Sequence, residues 1–310
     1  MSLLVVGSIA YDTVMTPFGS AEEVLGGSCT FFSMAASPFV APRLLGVVGD
    51  DFRPEDRDLL AAHGICLEGL HRVPGKTFRW GGRYEADGIN RTTLFTHLNV
   101  FETFSPKLPE TYRESALVFL ANIHPQLQAT VLDQVRSPRL IALDTMDLWI
   151  HTERKALQAV IERVDILFVN DSEASALTGQ PLMARAAKEL LAMGPRYVVI
   201  KRGEHGSMLW SRDSAFLSPA LPLEEVFDPT GAGDSFAGGF MGWLANRGTT
   251  DIETLRQAMV MGTVMASFCV ESFSLDKLAE VTRGELAART ARMAALTSFV
   301  PPPADTVRLR

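Results

Sequence analysis

Asp228-Pro229-Thr230-Gly231-Ala232-Gly233-Asp234-Ser235-Phe236-Ala237-Gly238-Gly239-Phe240 is the stretch whose reading orients the rest of the chain. Gly231 and Gly233 permit a tight turn and let a ligand approach the backbone closely. Asp234 follows at once and opens a helix-like run over 234–246. Unpaired amides at a helix start, with the positive end of the helix dipole, make a site for phosphate oxygens. A carboxylate in that place repels phosphate, so it needs a task of its own. Facing an incoming hydroxyl, it would accept that proton while the amides stabilise charge on a phosphoryl group in transfer. The plain alternative is an Asp cap on a glycine-rich turn. Gly-Ala-Gly-Asp alone does not separate the two.

Outward from this turn, short apolar runs alternate with helix-like stretches, the pattern of a parallel sheet with helices on both faces. Strands are expected over 3–7, 44–48, 117–120, 140–144, 166–170 and 197–201, apolar throughout as strands buried on both faces are. Helices are expected over 126–135, 153–163, 183–193, 234–246 and 251–269. One segment breaks the rhythm: Phe78, Trp80 and Tyr84 alternate with Arg79 and Arg83, Asp87-Gly88 offers a turn, and 92–100 reads as a returning strand. Such a hairpin is either a lid over the carboxyl edge of the sheet, where these folds bind ligands, or a surface hairpin on the core. The end, from Pro301 onward, reads as extended or frayed.

The 310 residues are 47% hydrophobic and 21% charged, enough for a sizeable core. A net charge of −7 argues against nucleic acid or an anionic membrane as the main partner. Cys29, Cys66 and Cys269 are far apart and odd in number, which points to a reduced, cytoplasmic setting. The six histidines are scattered without zinc spacing. The apolar start at 3–6 is too short for a secretory leader and lacks a basic flank. No apolar run approaches the roughly 18 residues that cross a bilayer.

The whole run 228–240 closely resembles the carboxyl-terminal signature of the PfkB, or ribokinase-like, family of carbohydrate kinases. Its pattern is met at Asp228, Gly231, Ala232, Gly233, Asp234, Phe236 and Gly239, with Thr230 in the threonine region. The likeness spans most of the chain. Gly7 to Asp12 resembles the family's first strand and turn, Gly26-Gly27 its double glycine, Gly46 to Phe52 its Val-Gly-x-Asp segment, and Asn170 to Glu173 its Asn-x-x-Glu motif. It implies a three-layer α/β sandwich over 1–310, one domain with a mostly parallel sheet and a small β lid from 12–16 and 77–100. It further implies ATP and Mg2+ as reactants, with Asp234 as base and Gly231, Ala232 and Gly233 as the anion hole. Asp12, Gly26, Gly27, Phe31 and Asn122 would meet the acceptor, and Lys201, Gly203, Gly206, Thr230 and Phe273 the nucleotide. Asn170 and Glu173 would act on magnesium through water; at i and i+3 they share one face of a first helical turn, which a capped helix alone also explains. The resemblance also implies a homodimer paired through the lid.

Three departures from the family stand out, one on the phosphate side and two that bear on the acceptor. Lys201 stands where the family's phosphate-side turn has Thr, and either faces phosphate or points to solvent. Ser28-Cys29-Thr30-Phe31-Phe32 follows the double glycine without the Asn that holds a polyol, and Asp144-Thr145-Met146-Asp147 replaces Asp-Pro-Asn. Aromatic residues near that gap (Phe31, Phe32, and the lid's Phe78, Trp80 and Tyr84) suit a planar base, so the reading leans to a nucleoside over a free sugar or inositol. Asn122 is equally a turn residue before Pro125. A ligand-sensing protein without turnover is the alternative of another class. A dinucleotide oxidoreductase fails because no Gly-x-Gly-x-x-Gly follows the first strand.

Overall fold

The computed structural model describes residues 1–85, 90–298 and 300. Its strands are β1 Leu3–Val6, β2 Ala10–Thr16, β3 Gly19–Gly26, β4 Pro42–Val48, β5 Cys66–Arg72, β6 Phe78–Tyr84, β7 Arg91–His97, β8 Leu117–Leu120, β9 Leu140–Asp144, β10 Ile166–Asn170, β11 Tyr197–Lys201, β12 Ser207–Trp210 and β13 Ala215–Ser218. Nine form one sheet in the order β13-β12-β11-β10-β9-β8-β1-β4-β5. The pairs from β5 across to β11 are parallel, and only β12 and β13 add antiparallel edges. All six strands expected from apolar runs are present, and the four-residue β1 and β8 are buried along their whole length. Such strands are covered by helices on both sides, and two separate apolar clusters line the two faces.

The chain runs from β1 to β4 and β5 on one side, then returns to β8 and walks to β11 on the other. The order therefore reverses between β1 and β8, and ligands in open α/β sheets bind beyond the strand ends at such a point. On the same carboxyl edge, beyond β8, three adjacent strands end in chemically useful residues: β9 in Asp144, β10 in Asn170 and β11 in Lys201.

The lid is larger than its sequence suggests. It is a second sheet, β3-β2-β6-β7, in which β2 runs parallel to β6 and antiparallel to β3. The strand Gly19–Gly26 goes unnoticed in the sequence because most of it is exposed and polar, so no apolar alternation marks it. The return strand ends at His97 rather than at 100; the backbone turns at Asn99, at φ 50°, and buries Val100 beneath the lid. The Asp87-Gly88 turn and the tail from Pro301 lie outside the described residues. The hairpin's aromatic face is covered from within the chain: Phe78 stacks on Phe101 with centroids 5.6 Å apart, and Tyr84 is buried. What the hairpin leaves open is Leu94 and, just beyond it, Leu98, each 42% exposed.

Small residues set the distance between helices on the site's side of the sheet. Helix Ala232–Arg247 packs against Ser28–Ala36 and Ile252–Cys269. A Cβ on Gly238 would lie 2.3 Å from the Phe32 carbonyl oxygen, and one on Gly239 would lie 2.7 Å from that of Met261. The glycines after Asp234 thus serve packing, and they bring the site's helix down onto its neighbours.

Candidate active site

Helix Ala232–Arg247 begins at Gly231, whose left-handed φ of 76° is strained for a side-chain-bearing residue. A Cβ there would also stand 2.3 Å from the Phe31 ring. The turn before it is tied by Asp228, whose Oδ1 accepts from the Thr230 amide at 2.8 Å. The Ala232 amide donates to the Pro229 carbonyl at 3.2 Å, so it closes the turn and is not a free anion-hole donor. That corrects the expectation for Ala232. Asp234 lies in the first helical turn, and its carboxyl is pushed up to about 7 by burial and by the Asp144 carboxylate, against the opposing pull of Lys201. Such a group changes protonation near neutrality, as a general base should.

On the acceptor side, Asp12 is 5% exposed and sits in β2. Burial first, then the Asp228 carboxylate, push it up to about 7, while the Gly27 amide donates to it and opposes that rise. The double glycine exists for this carboxylate: a Cβ on Gly26 would meet Asp12 Oδ2 at 1.9 Å. Gly27, at φ 94°, opens helix Ser28–Ala36, and its missing Cβ would strike the Ser8 carbonyl oxygen at 2.5 Å. Reciprocal bonds between Ser8 and Ser28, amide to hydroxyl at 3.1 Å each way, lock this helix to the end of β1. Phe31 is a correction. It is 2% exposed with its ring packed under Gly231, and Phe32 stacks on Phe119 with centroids 4.4 Å apart. Neither ring offers an open face to a base. Asn122 follows the end of β8, where its Oδ1 accepts from Trp149 Nε1 at 2.9 Å and its amide faces the Met146 sulfur at 3.1 Å.

The strand ends β9, β10 and β11 converge on one charged cluster. Lys201 Nζ lies 2.8 Å from Asp144 Oδ2, with the two side chains 18% and 6% exposed. Burial presses the ammonium toward neutrality, and the Asp144 and Glu173 carboxylates outweigh it, so its pKa lies above the ordinary lysine value. The inward reading of Lys201 is the one the geometry adopts. Asn170 and Glu173 form a reciprocal cap on helix Asp171–Thr178: the Glu173 amide donates to Asn170 Oδ1 at 2.8 Å, and the Asn170 amide to Glu173 Oε2 at 2.7 Å. Glu173 is nevertheless buried at 6% exposure, an unusual place for a surface cap. Burial and the Asp144 carboxylate hold its carboxyl well above the ordinary range.

A divalent cation fits this cluster only through water. Among the described residues no three His, Cys, Asp or Glu side chains are grouped to hold an ion directly. Oε2 of Glu173 is engaged by the cap, so its other oxygen is the atom left to meet a hydrated cation, which would relieve the crowding of negative charge.

Gly203 and Gly206 flank a short 3-10 turn after β11, both at positive φ, and a Cβ on Gly206 would collide with the Ser218 carbonyl oxygen at 2.1 Å. Phe273 lies against the lid's β2–β3 turn, 3.8 Å from where a Cβ on Gly19 would be. One member of the site was passed over by the sequence reading, and another was read for a different task. Asp144 was noted only as a departure, although the last residue of a buried parallel strand, one strand from the switch point on the carboxyl edge, is a positional signal. Tyr84, from the lid, places its hydroxyl 3.3 Å from Thr230 Oγ1 and so brings the lid down onto the glycine turn. The sequence marked Tyr84 as a lid aromatic suited to a planar base; its contact with Thr230 is decided by the tertiary structure.

A family model described as pfkB family carbohydrate kinase matches residues 5–280. The chain belongs to that family. As a pfkB kinase it is a phosphotransferase that uses an alcohol group as acceptor. It is 31% identical over 251 residues to a cytidine kinase of Thermococcus kodakarensis, covering 78% of this chain and 87% of the relative. It is also similar in structure to the Burkholderia thailandensis nucleoside kinase in complex with inosine, with a TM-score of 0.76 at 22% identity over 94% of this chain and 97% of that one. An E. coli protein described as a ribokinase II, in complex with ATP and Mg2+, gives a TM-score of 0.78 at 18% identity over 94% and 99% of the two chains. At these identities the two structures speak to the fold, and the fold of this pfkB kinase is the ribokinase one.

Proposed function

We propose that this chain transfers the γ-phosphoryl group of ATP to a hydroxyl of a nucleoside. The observation that carries the chemistry is the place of Asp234, in the first turn of a helix that opens at the left-handed Gly231, with its carboxyl pushed up to about 7 by burial and the Asp144 carboxylate. The acceptor oxygen attacks the γ-phosphorus in line, its proton passes to the Asp234 carboxylate, and the bond to the β–γ bridging oxygen breaks to release ADP. Asp12 would orient the acceptor hydroxyls, and Tyr84 would close the lid on the turn and exclude water. Bound magnesium would supply charge neutralisation on the phosphates, held through water by Glu173 beside Asn170.

The nucleoside assignment rests on the cytidine kinase likeness, since the aromatic argument from Phe31 and Phe32 falls with their burial. The three free cysteines support a cytoplasmic setting. No described helix is long and apolar enough to cross a membrane. A homodimer paired through the lid finds its support in exposed Leu94 and Leu98, and sedimentation velocity would reveal it. The test of function is an acceptor screen with ATP and Mg2+ over cytidine, other nucleosides, ribose, hexoses and inositols. We expect the highest kcat/KM for a nucleoside. A free sugar preferred over every nucleoside would overturn the acceptor, and no phosphorylation of any acceptor would overturn the kinase.

A further inference from the structure

We propose that Lys201 is a catalytic residue of this kinase, its ammonium being the fixed cation that meets the transferring phosphoryl group beside Gly233. The inference rests on the phosphotransfer reading and deepens it. Three observations carry it. Lys201 ends β11 at the carboxyl edge and turns inward, and a Cβ on Gly233 would lie only 3.1 Å from Nζ. The ammonium therefore lies against the glycine turn at the start of the Asp234 helix, where a phosphoryl oxygen approaching the turn would meet it. Second, one of its three N–H donors is taken by Asp144 Oδ2 at 2.8 Å, and among the described residues the other two have no hydrogen-bond acceptor. The salt bridge fixes the ammonium without exhausting it.

The third observation is the charge balance. Asp144 is in contact with Lys201, and the Glu173 and Asp234 carboxyls add longer-range attraction to the same ammonium. Lys201 is also the cation that acts on Asp234. A triphosphate entering this cluster adds further negative charge, and in-line transfer spreads it over the equatorial oxygens of the γ-phosphoryl group. A preorganised cation at that position stabilises the transition state more than the ground state, which raises kcat. Thr, which the family pattern carries here, offers a hydroxyl but no charge. Position 201 is thus where this chain departs from the pattern in the direction that the chemistry rewards.

The rival explanation is that Lys201 merely neutralises buried Asp144. A double-mutant cycle separates the two. Lys201→Met leaves Asp144 unpaired and could destabilise the chain, so the same change is also made in an Asp144→Asn background, where no charge is stranded. If the ammonium acts on the phosphoryl group, Lys201→Met lowers kcat by roughly 10²–10³-fold in both backgrounds, and Lys201→Arg restores part of the rate. A purely neutralising lysine would cost nothing once Asp144 is Asn, and that result overturns the proposal. Calorimetry with ATP and ADP gives a readout independent of turnover. Loss of a charge-assisted contact to the γ-phosphate should weaken ATP roughly ten- to a hundredfold and leave ADP nearly unchanged. Equal effects on the two nucleotides, or none, also sink it. If the wild-type protein phosphorylates no acceptor, the kinase reading fails, while the ATP-over-ADP difference still decides the position of Lys201.

Discussion

Asp234 is the carboxyl to which the proposed mechanism assigns the proton, and its neighbourhood explains why a carboxyl could work there. A carboxylate at its ordinary pKa is a poor proton acceptor near neutrality, because the driving force for taking a proton is small. Burial and the Asp144 carboxylate raise it to about 7, while Lys201 stops the rise from going further. Asp234→Asn should lower kcat by roughly 10²–10⁴-fold with the melting temperature retained. Turnover near the wild-type rate would remove Asp234 from the mechanism. Because the base must be ionised to work, kcat/KM should fall on the acid side of a limb near pH 7. A flat profile from pH 5 to 8 would show that the limb belongs to no essential base.

At the scale of elements, the motif at the start of helix Asp171–Thr178 caps the helix, and the proposed mechanism gives it a second duty toward magnesium. Asn170 and Glu173 cap the helix by reciprocal hydrogen bonds, yet the glutamate is buried beside Asp144 and Lys201. Glutamine fills the same capping geometry without charge. Glu173→Gln should therefore leave thermal stability unchanged or raised, since an unfavourably buried carboxyl is gone, while several-fold more magnesium is needed for the half-maximal rate. A magnesium titration identical to wild type would return the motif to capping alone. The lid follows the same logic of shared duty. Its β2 carries Asp12 to the acceptor side, and its β6 carries Tyr84 to Thr230, so a movement of this one sheet displaces both contacts together.

Across the whole molecule, the site gathers carboxyls that are buried or half-buried. Asp12, Asp228, Glu173 and Asp234 all hold their protons more tightly in the folded chain than an exposed carboxyl does. The folded state thus binds more protons than the unfolded one between the ordinary carboxyl pKa, about 4, and these raised values. Linkage then gives a stability that is full below about pH 4 for these groups and is lost as pH rises through the raised values, at about 7 for Asp12 and Asp234. Asp51, Asp251 and Glu285, whose carboxyls are held low by hydrogen bonds and cations, work in the opposite sense, and their support is lost only in acid. The melting temperature of the ligand-free protein should fall by several degrees between pH 5 and pH 8, at about 2–4 °C per kcal/mol for a large domain. The Asp12→Asn variant should show a shallower slope. An equal slope in wild type and variant would mean that the site is not the source.

By itself the sequence determined the kind of sheet and the place of the glycine turn, and it singled out Asp234 as the candidate base. Those are local matters: a buried parallel strand must be apolar along its length, and a positive-φ turn against a neighbour must be glycine. The resemblance across 228–240 then carried the family, which the match over residues 5–280 bears out. Tertiary structure alone decided what the neighbours of that turn do. It turned Lys201 inward onto Asp144 and buried Glu173 within its own cap. Phe31, by contrast, went under Gly231, away from any acceptor, and the lid gained a strand, Gly19–Gly26, with no apolar rhythm to announce it. The lid strand escaped because it is mostly exposed and polar, whereas the other three share one physical reason. Strand ends and helix starts far apart in the chain meet at the edge where the sheet order reverses, and what a side chain does there depends on which charges and rings the other strands deliver to it.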